Sequence, residues 1–257
     1  MITIQSSGRL GNKLNYFITG MFIHEMKGMH FTPEKIDGFI NTYDVKNGIH
    51  IAEQIGISSV YLQQNAFGRY LYEDFENFSQ NINKIEKGFI VDNMIHKYSL
   101  LKEMDVKRYL LMDDSFKKPE SDELVIHIRI GDYKSHKKHL NHVIENNYYL
   151  NVIEMEKNNI NKVTILTDSP NDPKLDEFRS IGCEIRCNNE IEDFAYIKNS
   201  NKICISNSTF SWTAAYISDA STIYWPISSN KWPYSPNPDA RFDVDMRPID
   251  KKNWIYI

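Results

Sequence analysis

An arginine stands inside what otherwise reads as a buried strand, in VIHIRIGDY, Val125 to Tyr133. By period-2 alternation Ile126, Ile128 and Ile130 share one face, and Val125, His127 and Arg129 share the other. Gly131 and Asp132 then stop the strand. A guanidinium stays charged, so burying it without a partner is costly. Two roles fit Arg129. It could form a buried ion pair with Asp132 or Asp168, or offer its fork of donors to a phosphate or carboxylate. His127 alone would read as a satisfied core histidine. Two polar side chains on one strand face favour a ligand edge.

A second constellation follows in CISNSTFSW, Cys204 to Trp212, where Ser206, Asn207, Ser208, Thr209 and Ser211 crowd one strand-to-helix turn. Capping a helix needs one such side chain. The surplus, beside open N–H groups at a helix start, reads as a cradle for phosphate oxygens. The G-x-S-x-G elbow is missing, so Ser208 is not read as a hydrolase nucleophile. In ILTDSPND, Ile165 to Asp172, Asp168 or Ser169 is expected to cap a helix with Pro170 in its first turn. Asp168 also lies where a carboxylate could accept hydrogen bonds from a base or sugar.

Other stretches carry weaker chemistry. In SSGRLGN, Ser6 to Asn12, Gly8 and Gly11 permit a tight turn ahead of a helix N-terminus. Their spacing is not G-x-G-x-x-G, which weighs against a nucleotide-dependent dehydrogenase. YWPISSNKWPY, Tyr224 to Tyr234, is either an aromatic surface for a sugar or base, or a well-packed turn. No Walker A, H-E-x-x-H or paired C-x-x-C motif is present, and no metal site is expected. His136, His139 and His142 read as surface residues of a polar helix, and Asp243-Val244-Asp245 lies beyond the strands.

Elements must place these residues. Strands are predicted at Leu124–Ile130, Lys162–Thr167, Cys183–Arg186, Lys202–Ser206 and Thr222–Trp225, and helices at Asn147–Lys157, Pro170–Ile181, Ile191–Lys198 and Phe210–Ser218. Single helices between strands imply a parallel sheet covered on both faces, with ligands beyond the carboxyl ends. In the N-terminal half, Ile2–Ser6 reads as a strand. Leu14, Phe17, Ile18, Met21 and Phe22 form a helical stripe after Gly11, and Asn93–Leu111 reads as one helix. Met29–Phe89 has little legible pattern. The polar run Asp113–Glu123 with Pro119 marks a linker, giving domains at 1–115 and 122–235 and a tail at 236–257.

The chain has 257 residues, 41% hydrophobic and 25% charged, as in ordinary globular proteins. A net charge of −4 and a pI near 6.1 argue against nucleic-acid binding, which needs a basic surface. Cys183, Cys187 and Cys204 make neither a disulfide scaffold nor a zinc set, and they suit a reducing compartment. No secretory signal or membrane-length apolar run appears. The expected location is the cytoplasm, so the sequons at Asn77 and Asn207 carry no glycan.

GRLGNK (Gly8–Lys13), IHIRIGDY (Ile126–Tyr133), ILTDS (Ile165–Ser169) and ISNSTFSWTAAYIS (Ile205–Ser218), in that order, resemble glycosyltransferase family 11. This is the α-1,2-fucosyltransferase family, with bacterial members that build O-antigen and capsule. The resemblance implies an α/β, GT-B-type fold: two Rossmann-like domains with parallel sheets and a cleft between them. It implies GDP-fucose as donor, held mostly by the C-terminal domain, no metal or other cofactor, and inversion at the anomeric carbon. Arg129 would grip the diphosphate. Ser208, Thr209 and Phe210 would add nucleotide contacts, with His127, Asp168, Ser206, Asn207 and Ser211 as further donor-binding candidates. Gly8, Arg9, Gly11 and Asn12 would form a loop at the cleft.

The implied acceptor is a hydroxyl of a surface-glycan precursor, of the 2-OH galactose type. A lipid-linked acceptor would bring the protein to the inner face of the bacterial inner membrane. Catalytic candidates are Arg129, Asp132 and His127. The base that takes the acceptor proton is left open between Asp132, His127 and a residue of the N-terminal half. Arg9 and Lys13 depart from the usual G-G-L-G-N-Q loop and point to a different acceptor. The rival readings are a GT-B transferase with another sugar nucleotide, and a non-catalytic nucleotide- or glycan-binding protein.

Overall fold

The computed structural model describes residues 2–4, 9–27, 31–32, 36, 39–40, 60–61, 89–91, 98–112, 115–135, 143–227, 234–235 and 244–257. The chain divides into two units, Met1–Asp113 with Ser235–Met246, and Asp114–Tyr234 with Arg247–Ile257.

In the first unit, β1 (Ile2–Ile4), β2 (Phe31–Thr32), β4 (Val60–Tyr61) and β5 (Phe89–Val91) form a parallel sheet in the order β2-β1-β5-β4. β3 (Phe39–Ile40) pairs antiparallel with β6 (Leu111–Met112). Helix α1 (Leu10–Lys27) buries its stripe of Leu14, Phe17, Ile18, Met21 and Phe22. Its buried Asn15 amide N–H and Thr19 hydroxyl donate back to the carbonyls of Gly11 and Asn15, each at 2.8 Å, which gives these buried donors a partner.

The single helix expected over Asn93–Leu111 is not formed. Over 98–112 the chain makes a short helix α2 (Tyr98–Leu101), a 3-10 turn at Val106–Arg108 and then β6. The buried residues Tyr98, Leu101, Met104, Val106 and Tyr109 recur every two or three positions, and Leu110 follows directly. That spacing suits tight three-residue turns better than a 3.6-residue stripe.

The second unit is a six-stranded sheet with every neighbouring pair parallel. Its strands are β7 (Glu123–Ile128), β8 (Lys162–Thr167), β9 (Glu184–Arg186), β10 (Lys202–Cys204), β11 (Thr222–Trp225) and β14 (Trp254–Tyr256). They lie in the order β14-β11-β10-β7-β8-β9. Helices α3 (Gly131–Ser135), α4 (Asn146–Glu156), α5 (Asp176–Ser180), α6 (Glu190–Lys198) and α7 (Thr209–Tyr216) connect them. A ribbon of β12 (Tyr234–Ser235) and β13 (Val244–Asp245) lies between β11 and β14 in the chain.

All of β7 is buried, as a central strand covered on both faces must be. Its even face, Leu124, Ile126 and Ile128 with Ile130, packs against Tyr149 and Val152 of α4 and against Phe178 of α5. Each such fully buried large apolar side chain contributes roughly 1.5–3 kcal/mol.

Two local expectations are corrected here, and an alternative left open is decided for two of its residues. No helix is capped by Asp168 or Ser169. Instead Asp172, extended before Pro173, accepts from the Lys174 N–H at 2.9 Å and starts a 3-10 turn that runs into α5. A proline disfavours helical backbone in the residue before it, which moves the start to Pro173. The segment 236–257 is not merely a tail, because Trp254–Tyr256 adds a parallel edge strand beside β11. Tyr224 and Trp225 do not line a ligand surface. Both are buried in β11, Tyr224 bonded to Glu156 and Trp225 packed edge-on against Trp254. The rest of that aromatic loop, residues 228–233, lies outside the described residues, as do His136, His139, His142 and Asp243. Among the described residues no helix is long and apolar enough to cross a membrane.

Candidate active site

From β7 the chain runs outward to β8 and β9, then returns to place β10 on the other side of β7. The strand order therefore reverses between β7 and β10, which is where ligands of open parallel sheets bind. Their carboxyl ends carry the HIRIGDY and SNSTFS turns.

Arg129 leaves the end of β7 and is held by two carboxylates. Its Nε and Nη2 donate to the two oxygens of Asp132 at 2.8 and 2.7 Å, a bidentate pair within one turn. Its Nε also lies 3.2 Å from Oδ2 of Asp168, at the end of β8. The Arg129 side chain is 10% exposed and that of Asp132 is 43% exposed, so the pair sits at the rim. The guanidinium carbon lies 5.6 Å from the centroid of the Tyr133 ring, a cation–π contact. Both sequence readings of Arg129 meet here: an ion pair exists, and it holds the fork at the ligand edge.

Asp168 does more than pair with Arg129. Its Oδ1 accepts from the backbone N–H groups of Ile130 and Gly131, at 3.1 and 3.0 Å. Burial pushes its carboxyl up, but these two bonds and the nearby guanidinium outweigh that and hold it below the ordinary aspartate value. A second tie joins the same two turns, with Lys134 of α3 on Asp172 at 2.6 Å.

On the β10 side, Nδ1 of His127 lies 2.9 Å from Oγ of Ser206. The imidazole is buried and tilts against the Phe210 ring at 5.3 Å, and Phe210 meets Phe194 of α6 edge-on at 5.5 Å. Ser208 occupies the N-cap of α7 with extended backbone, and its side chain makes no capping bond. The hydroxyl of Ser211 turns back to the Ser208 carbonyl at 3.4 Å. Thr209 and Phe210 are half-buried in the first turn. Asn207 is 2% exposed, with neither end of its amide hydrogen-bonded, while its carbonyl accepts from the Tyr133 hydroxyl at 3.1 Å.

The structure thus brings His127, Arg129, Asp132, Asp168 and the Ser206–Ser211 turn to one edge of one sheet. Tyr133, which stitches the β7 turn to the β10 turn, was missed in the sequence. Its position directly after Asp132 was the available signal. Arg9 and Asn12 lie in the first unit, at the start of α1, where the Arg9 carbonyl accepts from the Asn12 and Lys13 N–H groups. Gly11 is buried within the first helical turn rather than in a loop, and among the described residues only Gly182 has positive φ. Gly8 lies outside the described residues.

A mutant of Arabidopsis thaliana FUT1 in complex with GDP is similar in structure, with a TM-score of 0.55 at 12% identity over 96% of this chain and 74% of that one. Two others are more distant. NodZ alpha-1,6-fucosyltransferase soaked with GDP-fucose gives 0.48 at 10% identity over 86% and 93% of the two chains. The apo form of POFUT1 gives 0.46 at 12% identity over 82% and 92%. Comparison with curated proteins finds no match. The fold is that of the α/β, GT-B-type glycosyltransferases. The profile of glycosyl transferase family 11 matches residues 1–257, and the chain belongs to that family. It is a glycosyltransferase.

Proposed function

We propose that the protein transfers fucose from GDP-fucose, with inversion and without a metal, to a hydroxyl of a surface-glycan precursor, of the 2-OH galactose type. The observation that carries this reading is the Arg129 fork at the strand-order reversal, at the end of the strand beside β10, whose turn starts α7. Family membership supports it, as does the GDP bound in the similar Arabidopsis protein.

As the bond from the sugar to GDP breaks, negative charge grows on the diphosphate. Donors aimed at that charge favour the transition state over the ground state. Asp132 and Asp168 occupy the Nε and Nη2 side of Arg129, so the opposite, Nη1, end of the guanidinium is assigned to the phosphate oxygens. Ser206, Asn207, Ser208, Thr209, Phe210 and Ser211, with the first N–H groups of α7, are assigned to the nucleotide, and His127 with them. A hydroxyl attacking from the opposite face of the sugar gives inversion, and its proton goes to a general base. Asp132 and His127 are the candidates at this edge. A residue of the N-terminal unit, which holds Arg9 and Asn12 and is assigned the acceptor side, is the third.

The decisive experiment measures GDP release from a panel of sugar nucleotides with galactosyl acceptors, with and without EDTA. Turnover of GDP-fucose that persists in EDTA is expected. Release from a different sugar nucleotide alone would reassign the donor, and nucleotide binding without turnover would make the protein a binder.

A further inference from the structure

The geometry points to Asp168 as a positioning residue, which locks Arg129 and the turn after β7 into the arrangement that receives the diphosphate. This rests on the donor reading above and gives Asp168 a role other than touching the donor.

Both oxygens of Asp168 face the β7 turn. Oδ1 takes the N–H groups of Ile130 and Gly131, and Oδ2 lies 3.2 Å from Nε of Arg129. The carboxylate is therefore engaged chiefly with the neighbouring strand's turn, with the Ser169 hydroxyl of its own turn also on Oδ1 at 3.5 Å. Asp132 also grips Arg129, but from within the same turn, so it moves when that turn moves. Asp168 comes from the end of β8 and, among the described residues, is the carboxylate that ties the guanidinium to a neighbouring strand. Its side chain is 13% exposed against 43% for Asp132, which matches an inner strut and an outer partner.

Gly131 supplies independent support. Its φ is not positive, so backbone freedom does not explain the glycine. Space does: a Cβ at this position would stand 2.8 Å from Oδ2 and 3.1 Å from Cγ of Asp168, and 3.3 Å from the Ser169 hydroxyl. The carboxylate and a side chain at position 131 compete for one volume, and the glycine leaves it to Asp168. The Lys134–Asp172 pair closes the same two turns further out.

Calorimetric titration of the full chain with GDP tests this, using wild type, Asp168→Asn, Arg129→Lys, their double variant and Gly131→Ala, each checked by thermal unfolding. Removing a negative charge near a diphosphate site should by itself tighten GDP binding. Positioning predicts the reverse, a loss of about tenfold in Asp168→Asn. In the Arg129→Lys background the same change should cost less than about twofold, since the group being positioned is already gone. Gly131→Ala should weaken GDP with Asp168 intact, and it carries the test alone if Asp168→Asn does not fold. Equal or tighter GDP binding by Asp168→Asn, or additive losses in the double variant, would overturn the assignment. A wild-type chain that does not bind GDP would remove the donor reading, and this role with it.

Discussion

Arg129 is held by one carboxylate from its own turn and one from the next strand, so its planar fork has one orientation. A lysine cannot reproduce that, because an ammonium is a point charge without a bidentate edge. Arg129→Lys should therefore lower GDP release from the donor by roughly a hundredfold with the fold intact. A near-normal kcat in that variant would reject the diphosphate role. The depressed carboxyl of Asp168 also makes stability depend on pH. The folded chain holds its charged form more tightly than the unfolded chain does. The contribution is thus complete above the ordinary aspartate value and is lost as pH falls from there through the lower folded value. Denaturant unfolding should show wild type and Asp168→Asn converging in stability as pH falls below about 4. A gap that stays constant would contradict the sign.

Helix α4 is fastened to the sheet by a buried cluster. Glu156, 6% exposed, takes Nζ of Lys202 from β10 at 2.6 Å and the hydroxyl of Tyr224 from β11 at 2.5 Å. Burial would raise the Glu156 carboxyl, but Lys202 and Tyr224 outweigh it and bring it down. Removing one partner leaves the other charge stranded, so Glu156→Ala should destabilise by about 3–5 kcal/mol. The paired change Glu156→Leu with Lys202→Met should cost far less, because no charge is left buried. Equal losses in the two variants, measured by urea unfolding, would refute the cluster's role. At the end of β8, Asp172→Ala should cost about 1 kcal/mol through the lost cap. These elements differ in how openly the sequence announces them. The α1 stripe and the β7 alternation are periodic and were readable. The tight turns over 98–112 and the helix start moved to Pro173 obey shorter-range rules, which a 3.6-residue template overrides.

At the scale of the molecule, the parallel sheet of the second unit brings the turns after β7, β8 and β10 side by side, and this adjacency makes the site. Transfer from GDP-fucose should accordingly survive excess EDTA, with GDP release as the readout, since the Nη1 end of Arg129 and the first N–H groups of α7 offer hydrogen-bond donors to the phosphate without a bound cation. Loss of activity in EDTA restored by a divalent cation would overturn that. The alternation of VIHIRIGDY, the polar crowding of SNSTFS and the order of strands and helices were determined by the sequence alone, because each depends on neighbours a few positions away. Tertiary structure decided the partners. His127 meets Ser206 across 79 positions, Asp168 turns to the β7 turn instead of capping its own helix, and Tyr224 is spent on Glu156. Those pairings follow from which strands lie beside β7, and strand order is set by the packing of the whole sheet rather than by any local pattern.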